Sequence, residues 1–124
     1  MASEKLEKIT KARAQLEEAL KRYRHVKTER GLEFLTVAKA YEVLFEYLWK
    51  TLKAKVEDEG LFASSPKEAI RQAATLRLIK KPERWLACAT ARNDSVHDYF
   101  GIPEPDYIKL VEEFLVLSKG VGLR

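Results

Sequence analysis

The sequence predicts an all-α protein, an antiparallel up-and-down bundle of four to five helices. Three observations carry this. Apolar residues recur at three- and four-residue spacing through most of the chain, no stretch keeps the alternation of a strand, and the Gly and Pro punctuation leaves only short connections. At 124 residues the chain fits one domain, 1–124, able to bury a core without staples.

The first helix is expected from Ser3 to about Lys27. Leu6, Ile9, Ala12, Leu16, Ala19, Leu20, Tyr23 and Val26 form a narrow apolar stripe on a charged helix, and Gly31 is its expected stop. The second, about Leu32 to Glu59, carries Phe34, Val37, Ala38, Tyr41, Leu44, Phe45, Leu48, Trp49, Leu52 and Val56, and Gly60 closes it. Its apolar arc is wider than one inward face needs. With Phe45, Tyr47 and Trp49 clustered, the surplus reads as a homodimer surface. The best-defined boundary follows: Ser65 as N-cap, Pro66 at the first helical position and Glu68 three residues after the serine make a capping box. That third helix is expected to run to about Ile79, where Lys80-Lys81-Pro82 breaks it. Pro82 starts a fourth helix with Trp85, Leu86 and Ala89. A stiff Gly101-Ile102-Pro103-Glu104-Pro105 turn precedes a fifth, about Pro105 to Lys119, with Tyr107, Leu110, Val111, Phe114 and Leu117.

Composition narrows the classes of function. Apolar residues at 46% and charged residues at 34% describe a globular chain rather than a disordered one. No apolar run reaches the length of a membrane span, and Met1-Ala2-Ser3-Glu4-Lys5 lacks the apolar region of a signal peptide. The lone Cys88 excludes an internal disulfide and fits a reducing cytoplasm. One Cys with two distant His (His25 and His97) cannot assemble a structural zinc site, and Asp94 and Asp98 are too few for another metal, so no metal and no cofactor are expected. The net charge of +4 is concentrated at the start. Residues 1–30 hold nine Lys/Arg against five Asp/Glu, and the rest of the chain balances. Such a stripe attracts a polyanion or an acidic protein, and a solvated helix face explains it as well.

The chemistry concentrates in Arg92-Asn93-Asp94-Ser95-Val96-His97-Asp98-Tyr99. An arginine keeps its charge and offers a planar fork of donors suited to phosphate. A histidine changes charge near neutral pH and can give or take a proton. Together they suit metal-free cleavage of a phosphodiester, with Arg92 on the phosphate, His97 as acid or base, and Asn93 as orienting hydrogen-bond partner. A solvated helix end is the plainer reading of the same residues. If the helix stays regular, Arg92 and His97 lie about 140° apart around its axis. The pair then converges only if the helix loosens, the arginine reaches across, or two octets meet across a dimer axis.

The Arg-x4-His-x-Tyr spacing of the octet resembles the signature of the HEPN superfamily, specifically its HepT-like toxins and the proteins grouped as nucleotidyltransferase substrate-binding. Phe34-Leu35-Thr36, Ala40-Tyr41-Glu42, Trp49-Lys50-Thr51-Leu52-Lys53, Pro66-Lys67-Glu68-Ala69-Ile70-Arg71 and Arg92-Asn93 extend the likeness over nearly the whole chain. The resemblance implies a HEPN-like bundle that dimerises with its motifs facing a shared cleft. It implies a metal-independent endoribonuclease acting on RNA through Arg92, Asn93 and His97. It also implies a cognate minimal nucleotidyltransferase as antitoxin, which neutralises the toxin by transferring AMP to the motif tyrosine, here Tyr99. A phosphate placed there would block the anion site and repel RNA. The older family label implies something different: a non-catalytic subunit that holds a substrate or nucleotide for the nucleotidyltransferase. A structural helical adaptor is the third class.

Overall fold

The computed structural model describes the backbone of residues 2–97 and 102–121 and the side chains of residues 4–92 and 102–121. Within these residues the protein is all-α. It has five helices, α1 (Ala2–His25), α2 (Gly31–Asp58), α3 (Pro66–Thr75), α4 (Pro82–His97) and α5 (Glu104–Leu117), and no strand among the described residues. The chain forms two compact units, Met1–Tyr47 and Leu48–Arg124, with the boundary inside α2.

In the first unit the expected α1 stripe is the buried one: Ile9, Ala12, Leu16, Ala19, Leu20 and Tyr23 are all in the core. The end of α1 differs from expectation. It stops at His25 rather than about Lys27, and Gly31 opens α2 instead of closing α1. The break lies between them, with Glu29 in the left-handed region at φ 52°. Basic side chains serve the last carbonyls of α1, which supports a stop there. Lys27 Nζ donates to Arg24 O at 2.9 Å and Arg30 Nη1 to Val26 O at 3.3 Å. Arg30 also lies over the Tyr23 ring, 4.1 Å from its centroid. On α2, Phe34, Val37, Ala38, Tyr41, Leu44 and Phe45 are buried. Burial of Phe45 corrects the expected apolar surplus. Phe45 belongs to the core of its own chain, whereas Tyr47 is exposed and Trp49 half-buried.

In the second unit, α2 ends as expected at Gly60. Gly60 N donates to Glu57 O and Leu61 N to Val56 O, a Schellman closure with Gly60 at φ 85°. The capping box is present in modified form. Glu68 N donates to Ser65 Oγ at 3.2 Å, but the Glu68 carboxylate accepts from Ser64, from its Oγ at 2.8 Å and its backbone N at 3.3 Å. Helix α3 ends at Thr75, four residues short of the expected Ile79, because the same closure recurs without a glycine. Arg77 N donates to Ala74 O and Leu78 N to Ala73 O, with Arg77 at φ 59°.

Helix α4 packs against both α3 and α5. Its pairings with α5 run in opposite senses along the two helices, so they are antiparallel. Arg84 meets Glu113, Trp85 meets Phe114 edge-on at 5.4 Å, and Cys88 Sγ lies 3.9 Å from Leu110 O. The unit's buried set includes Leu48, Leu52, Val56, Ala69, Ile70, Trp85, Cys88, Ala89, Ala91, Tyr107, Val111 and Phe114. At about 25 cal/mol per Å² of apolar surface removed from water, this burial is the main force holding α4 in place. No helix among the described residues is long and apolar enough to cross a membrane.

Candidate functional site

Helix α4 brings the octet to its C-terminal turns. Its first half is held to α5 at three successive points, Arg84–Glu113, Trp85–Phe114 and Cys88–Leu110. Continued along the two helices, this register sets Ala91 opposite Tyr107, both buried, and brings Arg92 level with the first turn of α5, where Glu104 and Asp106 lie. Carboxylates at that position favour the positive end of α5. The site end of α4 is therefore an extension of a packed scaffold rather than a loop.

Of the four expected site residues, Arg92 alone has a described side chain. It is half-buried, and its Nε is closed off from solvent. Enclosure of Nε narrows the rotamers open to this side chain. Asn93 and His97 belong to α4, whose backbone is helical through His97, and their side chains lie outside the described ones. Tyr99 lies outside the described residues altogether. Continuous helix from 92 to 97 separates the Arg92 and His97 positions by about 140° around the axis and about 7.5 Å along it. Loosening of the helix before His97, one of the three ways to bring the pair together, is therefore not what the backbone does.

The Arg84–Glu113 pair is a bidentate ion pair between α4 and α5. Arg84 Nε lies 2.9 and 3.1 Å from the two carboxylate oxygens, and Nη2 lies 2.7 Å from one of them. The hydrogen bond from Arg84 holds the Glu113 carboxyl below the usual carboxylate range, against a smaller opposing effect of burial; Arg84 is raised correspondingly.

Two clefts were not visible in the sequence. One, of 490 Å³, lies in the first unit between the end of α1 and the start of α2. His25 is exposed and lines it with Glu18, Arg22, Leu32 and Glu33. The other, of 410 Å³, lies in the second unit, where the α3–α4 connection meets the end of α5. Lys80-Lys81-Pro82 reads in the sequence only as a helix breaker. What the sequence does not display is that α5 brings Lys119 to the same place. Among the described residues, no three His, Cys, Asp or Glu side chains gather as a metal site.

A family model described as "Nucleotidyltransferase substrate binding protein like" matches residues 4–101, a span that covers α1 to α4 and the whole octet. No curated protein matches the chain.

Proposed function

This chain belongs to the nucleotidyltransferase substrate binding protein like family, within the HEPN-like helical superfamily, and we propose that it is the binding subunit of a nucleotidyltransferase pair, holding a phosphate-bearing ligand at the end of α4. The observation that carries this is the half-buried Arg92 on a helix anchored to α5. A guanidinium fixed in this way binds phosphate through two parallel hydrogen bonds, and a subunit that presents a nucleotide or acceptor needs that contact more than it needs proton transfer. In this reading the chain acts as one domain, 1–124, in the cytoplasm, and Tyr99 is an acceptor or a bystander.

The test is co-expression with a candidate small nucleotidyltransferase partner, followed by calorimetry with ATP and AMP. A stable complex, with nucleotide affinity falling about tenfold or more in Arg92→Ala, is expected, since a charged hydrogen bond contributes roughly 1.5–3 kcal/mol. Absence of a complex, or equal nucleotide binding by the variant, rejects the proposal.

A second reading is favoured by the Arg92-x4-His97 spacing itself: a metal-independent endoribonuclease toxin whose antitoxin is that nucleotidyltransferase. His97 takes the proton from the 2′-hydroxyl, the 2′-oxygen attacks phosphorus, and the 5′-oxygen leaves with a proton, giving a 2′,3′-cyclic phosphate and a 5′-hydroxyl. Arg92 opposes the charge that grows on the phosphate, and Asn93 orients the groups. With the two positions about 140° apart on one helix, the site takes Arg92 and His97 from different protomers of a homodimer. AMP transferred to Tyr99 then silences it. RNA incubated with the protein in excess EDTA decides the matter. Cleavage lost in His97→Ala supports the nuclease, whereas intact RNA with wild type removes it. Mass spectrometry of Tyr99 after co-expression tests the modification.

A further inference from the structure

The 410 Å³ cleft at the α3–α4 connection combines four cations, Arg77, Lys80, Lys81 and Lys119, with two exposed aliphatic side chains, Leu78 and Val116. Among the described residues no carboxylate lines it. Glu113, whose carboxylate feels the charge of Lys81, is bound by Arg84 and lies outside the lining.

Two of the cations occupy costly positions. Arg77 has φ 59° and Lys81 φ 55°. Glycine and asparagine enter that conformation cheaply, whereas other residues strain by roughly 1 kcal/mol or more. Lys81 also precedes Pro82, which disfavours compact backbone in the residue before it. The chain has the cheap solution elsewhere, since the matching position at the end of α2 is Gly60. Twice at the rim of this cleft a cationic side chain thus stands on strained backbone.

We propose that this cleft docks an acidic segment of the partner nucleotidyltransferase, one that seats an apolar side chain on Leu78 and Val116 between carboxylates that meet Arg77, Lys80, Lys81 and Lys119. The inference rests on the proposed pairing with a nucleotidyltransferase. Charge complementarity selects the sign of the partner. The apolar floor selects its kind, because it is aliphatic: single-stranded RNA binds such basic grooves by stacking bases on aromatic rings, and no aromatic side chain among the described residues lines this one. The cleft lies at the opposite end of α4 from Arg92, about 15 Å along the helix from Pro82, so docking here leaves the phosphate site free.

The test measures the affinity of the nucleotidyltransferase for the full chain and for two variants. Arg77→Gly/Lys81→Asn removes both charges with residues suited to the local backbone, so its fold survives. Leu78→Asp/Val116→Asp removes the apolar floor, with circular dichroism and melting checking its fold. Each variant is expected to weaken the complex at least about tenfold, the sum of several exposed charge pairs or of one lost apolar anchor. The wild-type complex should also weaken as salt rises, more steeply than that of the Gly/Asn variant. No wild-type complex overturns both the pairing and the docking site. A complex unchanged in the Gly/Asn variant overturns the docking site alone. A 20-nucleotide single-stranded RNA that loses affinity with this variant, while the protein complex does not, reassigns the cleft to nucleic acid.

Discussion

Arg84 grips both carboxylate oxygens of Glu113, with three donor–acceptor distances between 2.7 and 3.1 Å, and so ties the first turn of α4 to α5. The two side chains remain 44% and 34% exposed, so solvent screens the pair and its contribution to stability is small.

That pairing sets a pH dependence. A carboxyl with a lowered folded-state pKa stabilises the fold above the ordinary glutamate range, and the contribution disappears as pH falls through the lowered value. Glu113→Gln is therefore expected to lose stability at neutral pH and to flatten the acid limb below about pH 4. Urea titrations at a series of pH values check this; an acid limb identical to wild type contradicts it.

Phe114 is fully buried against the edge of Trp85. Phe114→Ala should cost about 3–5 kcal/mol, with the loss read from denaturant midpoints. A cost under about 1 kcal/mol would mean that α4 is not held by this contact.

Gly60 and Arg77 occupy the same place in two copies of one helix closure. Gly60→Ala should destabilise by roughly 1–2 kcal/mol through backbone strain alone, since an added Cβ meets nothing within 4 Å. Arg77→Gly should be neutral or stabilising, by up to about 1 kcal/mol. Thermal melts of both variants read the two signs directly.

Ser65 accepts from Glu68 N. Ser65→Ala should cost about 1 kcal/mol. Glu68→Ala removes the Ser64 contacts instead, so the double variant separates the two halves of the box by its departure from additivity.

Arg92→Lys keeps the charge and loses the planar fork. Nucleotide binding in this variant is expected to resemble Arg92→Ala rather than wild type, as measured by calorimetry. Full affinity with lysine would reduce the role of Arg92 to a point charge.

The all-α fold was legible because helical periodicity survives in every segment and because Ser65-Pro66 and Gly60 carry unambiguous stop and start chemistry. The ends of α1 and α3 were not legible. Each chain reversal there uses a non-glycine residue in the left-handed region, Glu29 and Arg77, and the sequence gives no sign of that. The expected surplus at Phe45 failed because periodicity reports an apolar arc without saying how much of it the chain's own core takes up. The octet was legible as chemistry, and the structure locates Arg92 on a held helix; the cleft at Arg77 was not, because Lys119 reaches it from the far end of the chain.

Trp85 is buried, its indole N–H meets no acceptor among the described residues, and it sits on the helix that carries the candidate site. An indole buried this far is expected to emit at short wavelength, and the half-buried Trp49 further to the red. The protein thus contains an intrinsic fluorophore on its most informative helix. A ligand that shifts α4 will move the blue edge of the spectrum, and a Trp49→Phe background isolates that signal without an attached dye.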